Sequence, residues 1–320
     1  MVKYEHRLIS LSKRGYIYFL EHCRVHLQNA VVAYTQSENG TFKSYNIPSI
    51  NTSILMLGEG TSITRDAVMK LTDSGTLLMF VGGRGTPLHA TSDLSFNVIS
   101  PASEYRPTEY MQAWSNIFFN KEKRLSAAKL FMKFRIENIK YFYKKLDFIK
   151  EMNINELDYI SLLEEFSTTI NKLDNTNLLL SAEALFTKKL YKLFSRKINF
   201  NNFTREHAKN SKETDFDIAN SFLDHGNYLF YGLGAITLHG LGISYAFALL
   251  HGKTRRGALV FDVADLIKDS LCLPYSFYAT NEGYNDKDFR SGLIELIHKE
   301  KILDRLFEQV KSTAIGDYNA

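Results

Sequence analysis

The period of the hydrophobic residues changes once along this 320-residue chain, and that change limits its fold more than any other feature. Through about residue 100 the apolar residues come in short runs rich in β-branched and aromatic side chains, the pattern of strands. Beyond about residue 108 they recur every 3.6 positions to the end, the pattern of helices. A single switch predicts an α+β fold in two domains. We expect a β-rich, β-sandwich-like domain over residues 1–100, a linker over 101–108 bracketed by Pro101 and Pro107, and an all-helical domain over 109–320.

In the first part, Arg14-Gly-Tyr-Ile-Tyr-Phe19, Ala30-Val-Val-Ala-Tyr34 and Lys43-Ser-Tyr-Asn-Ile47 read as strands, with Asn39-Gly40 as a hairpin signal. Ser53-Ile-Leu-Met-Leu57 reads as a buried strand. A helix then runs through Asp66–Leu71, with Ser62 or Thr64 as its cap. Thr76–Val81 is a further strand, closed by the turn Gly82-Gly-Arg-Gly85. Gly58-Glu-Gly60 sits between strand and helix like a phosphate loop. It lacks the third Gly of a dinucleotide fingerprint and any Gly-Lys-Ser/Thr, so a tight turn is the better reading.

With 45% apolar and 13% aromatic residues the chain has material for a sizeable core, and 18 Gly and 5 Pro exclude a collagenous or disordered chain. Its two cysteines, Cys23 and Cys272, are far apart and form no CxxC, which excludes a disulfide framework and fits a reducing cytoplasm. The N-terminus Met1–Arg7 has no apolar core of a signal peptide. Leu229–Leu250 contains no Asp, Glu, Lys or Arg, but His239-Gly-Leu-Gly242 interrupts it. Two buried helices meeting at a Gly turn are expected there, not a membrane span. The last ten residues are expected to fray.

The net charge of +4 is modest, so any nucleic-acid binding must come from local clusters. Two stand out: Lys121–Lys150, with ten Lys/Arg against three acids, and Phe186–Lys212, with eight against Glu206 alone. Three windows in the helical part carry candidate chemistry. Glu183, within an apolar helical run, is either solvated at a helix start with help from the dipole or an inward carboxylate that needs a cation. His251 opens His251-Gly-Lys-Thr-Arg-Arg-Gly257, where Lys253, Arg255 and Arg256 suit phosphate beside a metal ligand; a plain structural histidine is the alternative. Asp262 and Asp265, three apart, share one helix face. They are either a carboxylate pair around a cation or a capping arrangement with Asp262 as N-cap. Together, two carboxylate windows and a histidine flanked by Lys/Arg suit a Mg²⁺ or Mn²⁺ site for phosphodiester chemistry.

Four stretches then carry a resemblance. They are Leu57-Gly-Glu-Gly-Thr-Ser-Ile-Thr-Arg-Asp-Ala-Val68, Glu183 in its helix, Asn220-Ser-Phe-Leu-Asp-His-Gly-Asn-Tyr-Leu-Phe-Tyr-Gly232, and Leu250–Lys268 with its Asp-Val-Ala-Asp core. The chain resembles the CRISPR-associated integrase, the endonuclease–transesterase of spacer acquisition, in its subtype I-F form. It differs from many members in having Ala184 where they have Gly. The resemblance implies a β-rich domain that mediates homodimerisation and a helical catalytic domain. It places divalent-metal ligands at Glu183, His251 and Asp265, with Asp262 and Tyr231 close by. Lys253, Arg255, Arg256 and Lys268 are then candidate DNA contacts, with Lys121–Lys150 as a further phosphate-holding surface. It further implies DNA, both spacer precursor and repeat, as substrate. The implied partner is a small ferredoxin-like adaptation protein fused to a helicase–nuclease. A structure-selective nuclease of branched DNA, or a DNA-binding scaffold whose acids only cap helices, are the rival readings.

Overall fold

A computed structural model describes residues 13–38, 40–81, 98–99, 108–200, 203–205, 214–252 and 257–316. The turn at Gly82–Gly85, the segment between Pro101 and Pro107, Asn39, and the basic residues Lys253, Arg255 and Arg256 lie outside them. The chain divides into two compact units, residues 1–105 with 298–300 and residues 106–297 with 301–320.

The first unit holds two four-stranded sheets. In one, β1 (Tyr16–Leu20), β5 (Thr52–Leu57) and β7 (Leu77–Phe80) run parallel, and β8 (Val98–Ile99) closes the edge antiparallel to β7. Parallel neighbours need a crossover, supplied between β5 and β7 by helix α1 (Arg65–Asp73). All six residues of β5 are buried, as expected for a strand covered on both faces. The other sheet has the order β4 (Thr41–Ile47), β3 (Val31–Glu38), β2 (Cys23–Gln28), β6 (Ser62–Ile63). Leu20, Leu55, Leu57 and Leu78 from the first sheet and Val25, Val32 and Ile47 from the second share one core with Ala67 and Leu71 of α1.

Two expectations need correction here. Ala30 is not a strand residue: with Asn29 it forms the two-residue β2–β3 turn at φ 62° and 51°, the left-handed pair such a hairpin requires. A short strand, β6, intervenes between the Gly58–Gly60 turn and α1, whose cap is Thr64, its side chain accepting the Ala67 N–H. The turn is tight, as expected. A Cβ at Gly58 would lie 2.6 Å from Glu21 Cγ, and Gly60 sits at φ +67° against the His22 ring. The backbone there is spent on the β1–β2 junction, through Gly58 N–H to Leu20 O and His22 N–H to Glu59 O.

The second unit is helical: α2 (Glu109–Phe119), α3 (Lys121–Lys145), α4 (Asp147–Glu151), α5 (Glu156–Lys172), α6 (Thr176–Lys197), α7 (Asp215–Gly240), α8 (Leu259–Asp265), α9 (Lys268–Asn281), α10 (Asp286–Lys299) and α11 (Ile302–Ala314). From Ala127 to Tyr143 α3 is buried on most of its faces, so it runs through the core. The uncharged stretch makes one helix, not two. α7 ends at Gly240, Gly242 turns at φ +69°, and residues 243–252 form a loop. No helix among the described residues is long and apolar enough to cross a membrane. The expected fraying of the last ten residues does not hold for their first part, where Thr313 and Ala314 are buried on α11; residues 317–320 lie outside the described residues.

Candidate active site in the helical unit

Close approach of helices builds this site. Gly234 on α7 lets the backbone of α8 come so near that a Cβ there would lie 2.8 Å from the Val260 carbonyl oxygen. Gly226 does the same for α9, where a Cβ would meet Cys272 Sγ at 2.3 Å. The α8–α9 turn, carrying Asp262, Asp265, Lys268 and Asp269, is thereby pressed between α3, α6 and α7. All four carboxylates of the site are buried: Glu183 is 8% exposed, Asp262 3%, Asp265 4% and Asp269 1%.

Glu183 lies mid-helix in α6, not at a solvated helix start. Arg135 of α3, 1% exposed, reaches it: Nη1 donates to Glu183 Oε1 at 2.7 Å. Thr187, one turn along α6, donates to the same oxygen at 3.1 Å and accepts from Arg135 Nη2 at 2.6 Å. The guanidinium is anchored from behind by Asp269, which accepts from Nε at 2.8 Å and also from Nη2. Oε1 of Glu183 is thus fully engaged, while Oε2 takes no hydrogen bond among the described residues. Burial pulls the Arg135 pKa down, but Asp269, Glu183 and Asp265 outweigh it and hold the group charged. Burial raises Asp269 above the usual carboxylate range against the pull of Arg135 and Lys268.

Asp262 is not a helix cap. α8 begins at Leu259, so Asp262 falls inside it and its carboxylate faces the 243–252 loop. It accepts the backbone N–H groups of Leu249 (2.6 Å), Leu250 (3.1 Å) and His251 (3.3 Å), and its Oδ1 meets His251 Nδ1 at 2.6 Å. The loop is tied further by Trp114 Nε1 to Phe247 O (2.9 Å) and Arg124 Nε to Leu249 O (3.0 Å). A carboxylate on Nδ1 fixes the imidazole and directs Nε2 as the coordinating atom, the usual outer support of a metal-bound histidine. Burial lowers the His251 pKa, but the Asp262 hydrogen bond and the charges of Asp265, Asp262 and Glu183 outweigh it, for a net rise.

Asp265, at the end of α8, is paired through Oδ1 with the Lys268 ammonium. Burial raises its pKa, but Lys268, His251 and Arg135 together bring it below the normal value. Lys268, expected at the DNA surface, has a side chain only 17% exposed, with its ammonium 6.0 Å from the centre of the Tyr231 ring. Tyr231, 6% exposed on α7, packs edge-on to Phe261 at 4.6 Å. Glu183, His251, Asp265, Asp262, Tyr231 and Lys268 therefore share one electrostatic neighbourhood. The donors do not close to coordination distance: among the described residues no three His, Cys, Asp or Glu are grouped tightly enough to hold a metal ion. Their chemistry, two carboxylates and an imidazole, with Arg135 supporting Glu183 and Asp262 supporting His251, does fit a hard divalent cation.

Sequence reasoning missed Arg135, Asp269 and Thr187. Arg135 was counted within a basic surface, yet it is the interior cation of the site. The exposed basic residues of that stretch are Lys121, Lys123, Lys133, Lys140, Lys144, Lys145 and Lys150. The available signal was Arg135 lying among Phe131, Met132, Phe134, Ile136 and Ile139, where the helical period buries it.

Residues 17–312 match the family described as CRISPR associated protein Cas1. The chain belongs to that family. A CRISPR-associated endonuclease Cas1 from Pectobacterium atrosepticum is 41% identical over 307 residues, 95% of this chain and 93% of the relative. Among solved structures, a casposase bound to integration product shares the fold with a TM-score of 0.70 at 14% identity, covering 93% of this Cas1-family chain and 90% of that one. A Cas6-RT-Cas1–Cas2 complex aligns with a TM-score of 0.63 at 15% identity, over 99% of this chain and 36% of that one.

Proposed function

We propose that this protein is a metal-dependent DNA integrase that joins the 3′-hydroxyl of a short duplex to a phosphodiester of a CRISPR repeat. The protein is an enzyme of the endonuclease class, as its 41%-identical relative is named. The observation that carries the metal-dependent reading is charge. Among the described residues Glu183, Asp265 and Asp269, three of the four buried carboxylates of the site, form ion pairs with two permanent cations, Arg135 and Lys268, and Arg124 stands near enough to the fourth, Asp262, to act on it. The acids outnumber the cations paired with them, and an excess of buried negative charge is costly unless a further cation joins it.

Glu183, His251 and Asp265 would hold that ion, Mg²⁺ or Mn²⁺, the donor set favouring these over a thiolate-seeking metal. When bound, it polarises a scissile phosphate and lowers the pKa of an attacking hydroxyl. Around it, Arg135 and Thr187 hold Glu183 by Oε1, Asp262 holds the imidazole by Nδ1, and the Trp114 and Arg124 anchors keep the His251 loop in place. Lys253, Arg255 and Arg256 would contact backbone phosphate, giving affinity with little sequence information. The casposase neighbour, bound to an integration product, supports joining over simple cutting, and the Cas1–Cas2 assembly supports a Cas2-type partner. The proposed assembly is a homodimer built on the β-rich unit, with the ferredoxin-like partner fused to a helicase–nuclease.

The test incubates labelled duplex with a supercoiled repeat-bearing plasmid, with and without Mn²⁺. Joined strands that need the metal support integration; cut strands alone would make the protein a branched-DNA nuclease. Glu183→Ala with every activity unchanged would reduce it to a scaffold.

A further inference from the structure

We propose that Lys268 is a built-in stand-in for the divalent cation, neutralising Asp265 until a metal ion displaces it. This rests on the metal-dependent reading above. The spacing is the first observation: Lys268 follows Asp265 by three residues across the α8–α9 junction, and the turn brings its ammonium onto Asp265 Oδ1. The second is that Asp265 is among the residues that would ligate the ion, so ammonium and metal compete for one carboxylate. The third is the contrast with Arg135. That guanidinium is 1% exposed, holds Glu183, Asp269 and Thr187 through three nitrogens, and cannot leave without stranding all of them.

Lys268 is differently placed. Among the described residues its one ion pair is with Asp265, its side chain keeps 17% exposure, and its stem is four flexible carbons. Of the two interior cations it is therefore the one that can yield. The arrangement reconciles donors that stand apart with a donor set that suits a metal: Asp265 is engaged by an ammonium that the ion must first displace. Displacement also frees a cation beside the scissile phosphate, a partner that suits an ammonium.

The test is calorimetric titration of the full chain with Mn²⁺, comparing wild type, Lys268→Met and Lys268→Arg. Lys268→Met is expected to bind Mn²⁺ about tenfold tighter or more, because the Asp265–Lys268 ion pair no longer has to be broken. Lys268→Arg, which grips a carboxylate with two nitrogens, should bind no tighter than wild type. In EDTA, Lys268→Met should melt below wild type and then gain more on saturation with Mn²⁺. Should the Met variant fail to fold, Lys268→Gln carries the same comparison. Wild type that binds Mn²⁺ with Lys268→Met binding equally or more weakly overturns the stand-in. Wild type that joins strands in EDTA and binds no Mn²⁺ overturns the metal reading itself.

Discussion

A carboxylate that accepts three backbone N–H groups and also braces an imidazole combines a structural with a chemical task, and Asp262 is so placed. Asp262→Ala leaves those donors buried and unpaired, each at about 1–3 kcal/mol, so it should lower the melting temperature more than loss of a cap would. Strand joining should fall with it, because His251 loses its orientation. Asp262→Asn keeps an acceptor oxygen and should lie between. Asp265→Ala should keep the fold and join nothing. It should not gain stability from relieved repulsion, since Asp265 is paired with Lys268. Paired melts and joining assays decide this; an Asp262→Ala protein as stable as wild type would mean the loop is held by Trp114 and Arg124 alone. His251 adds a pH dependence in metal-free protein. Its folded pKa is raised, so its contribution is fully present below the unfolded value of about 6.5 and is lost as pH rises through the folded one. The melting temperature in EDTA should therefore fall as pH rises above about 6.5, and His251→Gln should flatten that fall. With saturating Mn²⁺ the trend should weaken or reverse, because the metal takes the neutral imidazole.

The elements of this chain were legible to different degrees, for reasons that lie in how each is specified. β5, α1, β7 and the long helices declare themselves by local pattern, and the Asp-Val-Ala-Asp and His251 windows by residue type. β2 was missed although Cys23, Val25 and Leu27 alternate with Arg24, His26 and Gln28, because its turn is Asn29-Ala30, without the Gly that marks such hairpins. Arg135, Thr187 and Asp269 were missed because they come from α3, α6 and α9, and no local rule pairs residues 48 and 134 positions apart. The two readings of Asp262 could not be separated locally, because the start of α8 decides whether it caps a helix or a loop. That start depends on α7, where Gly234 admits the backbone of α8. Gly234→Ala should push α8 away and cost about 1–3 kcal/mol, the usual price of overpacking. Strand joining should suffer more than stability, because both aspartates ride on α8. A chemical melt beside a joining assay checks it, and an unaffected rate would show that α8 tolerates the shift.

At the scale of the molecule, a net charge of +4 gives little general attraction to DNA, so binding must come from placed clusters. Replacing Arg255 and Arg256 together by Ala should flatten the slope of log affinity against log salt by roughly one to two counterions. An unchanged slope would assign them to the protein itself. The interior of the helical unit poses the opposite problem, an excess of buried negative charge. Among the described residues Arg135 and Lys268, with Arg124 acting on Asp262 and His251 held toward its protonated form, offset most of it without metal. A deficit that small does not unfold a domain whose core is otherwise apolar, so chelation should leave the far-ultraviolet dichroism unchanged while abolishing joining. Metal binding to the folded state alone then adds stability by mass action, about 2.7 kcal/mol at a hundredfold excess over Kd. For a unit of about 200 residues that is a rise in melting temperature of roughly 5–10 °C. The measurement is a melt in EDTA, then across a Mn²⁺ titration, for wild type and Glu183→Ala. Unfolding on chelation would mean the interior cations do not balance the acids. A wild-type melting temperature that ignores Mn²⁺, in protein that still joins strands with it, would mean the ion enters only together with DNA, its phosphate completing the coordination that Glu183, His251 and Asp265 leave open.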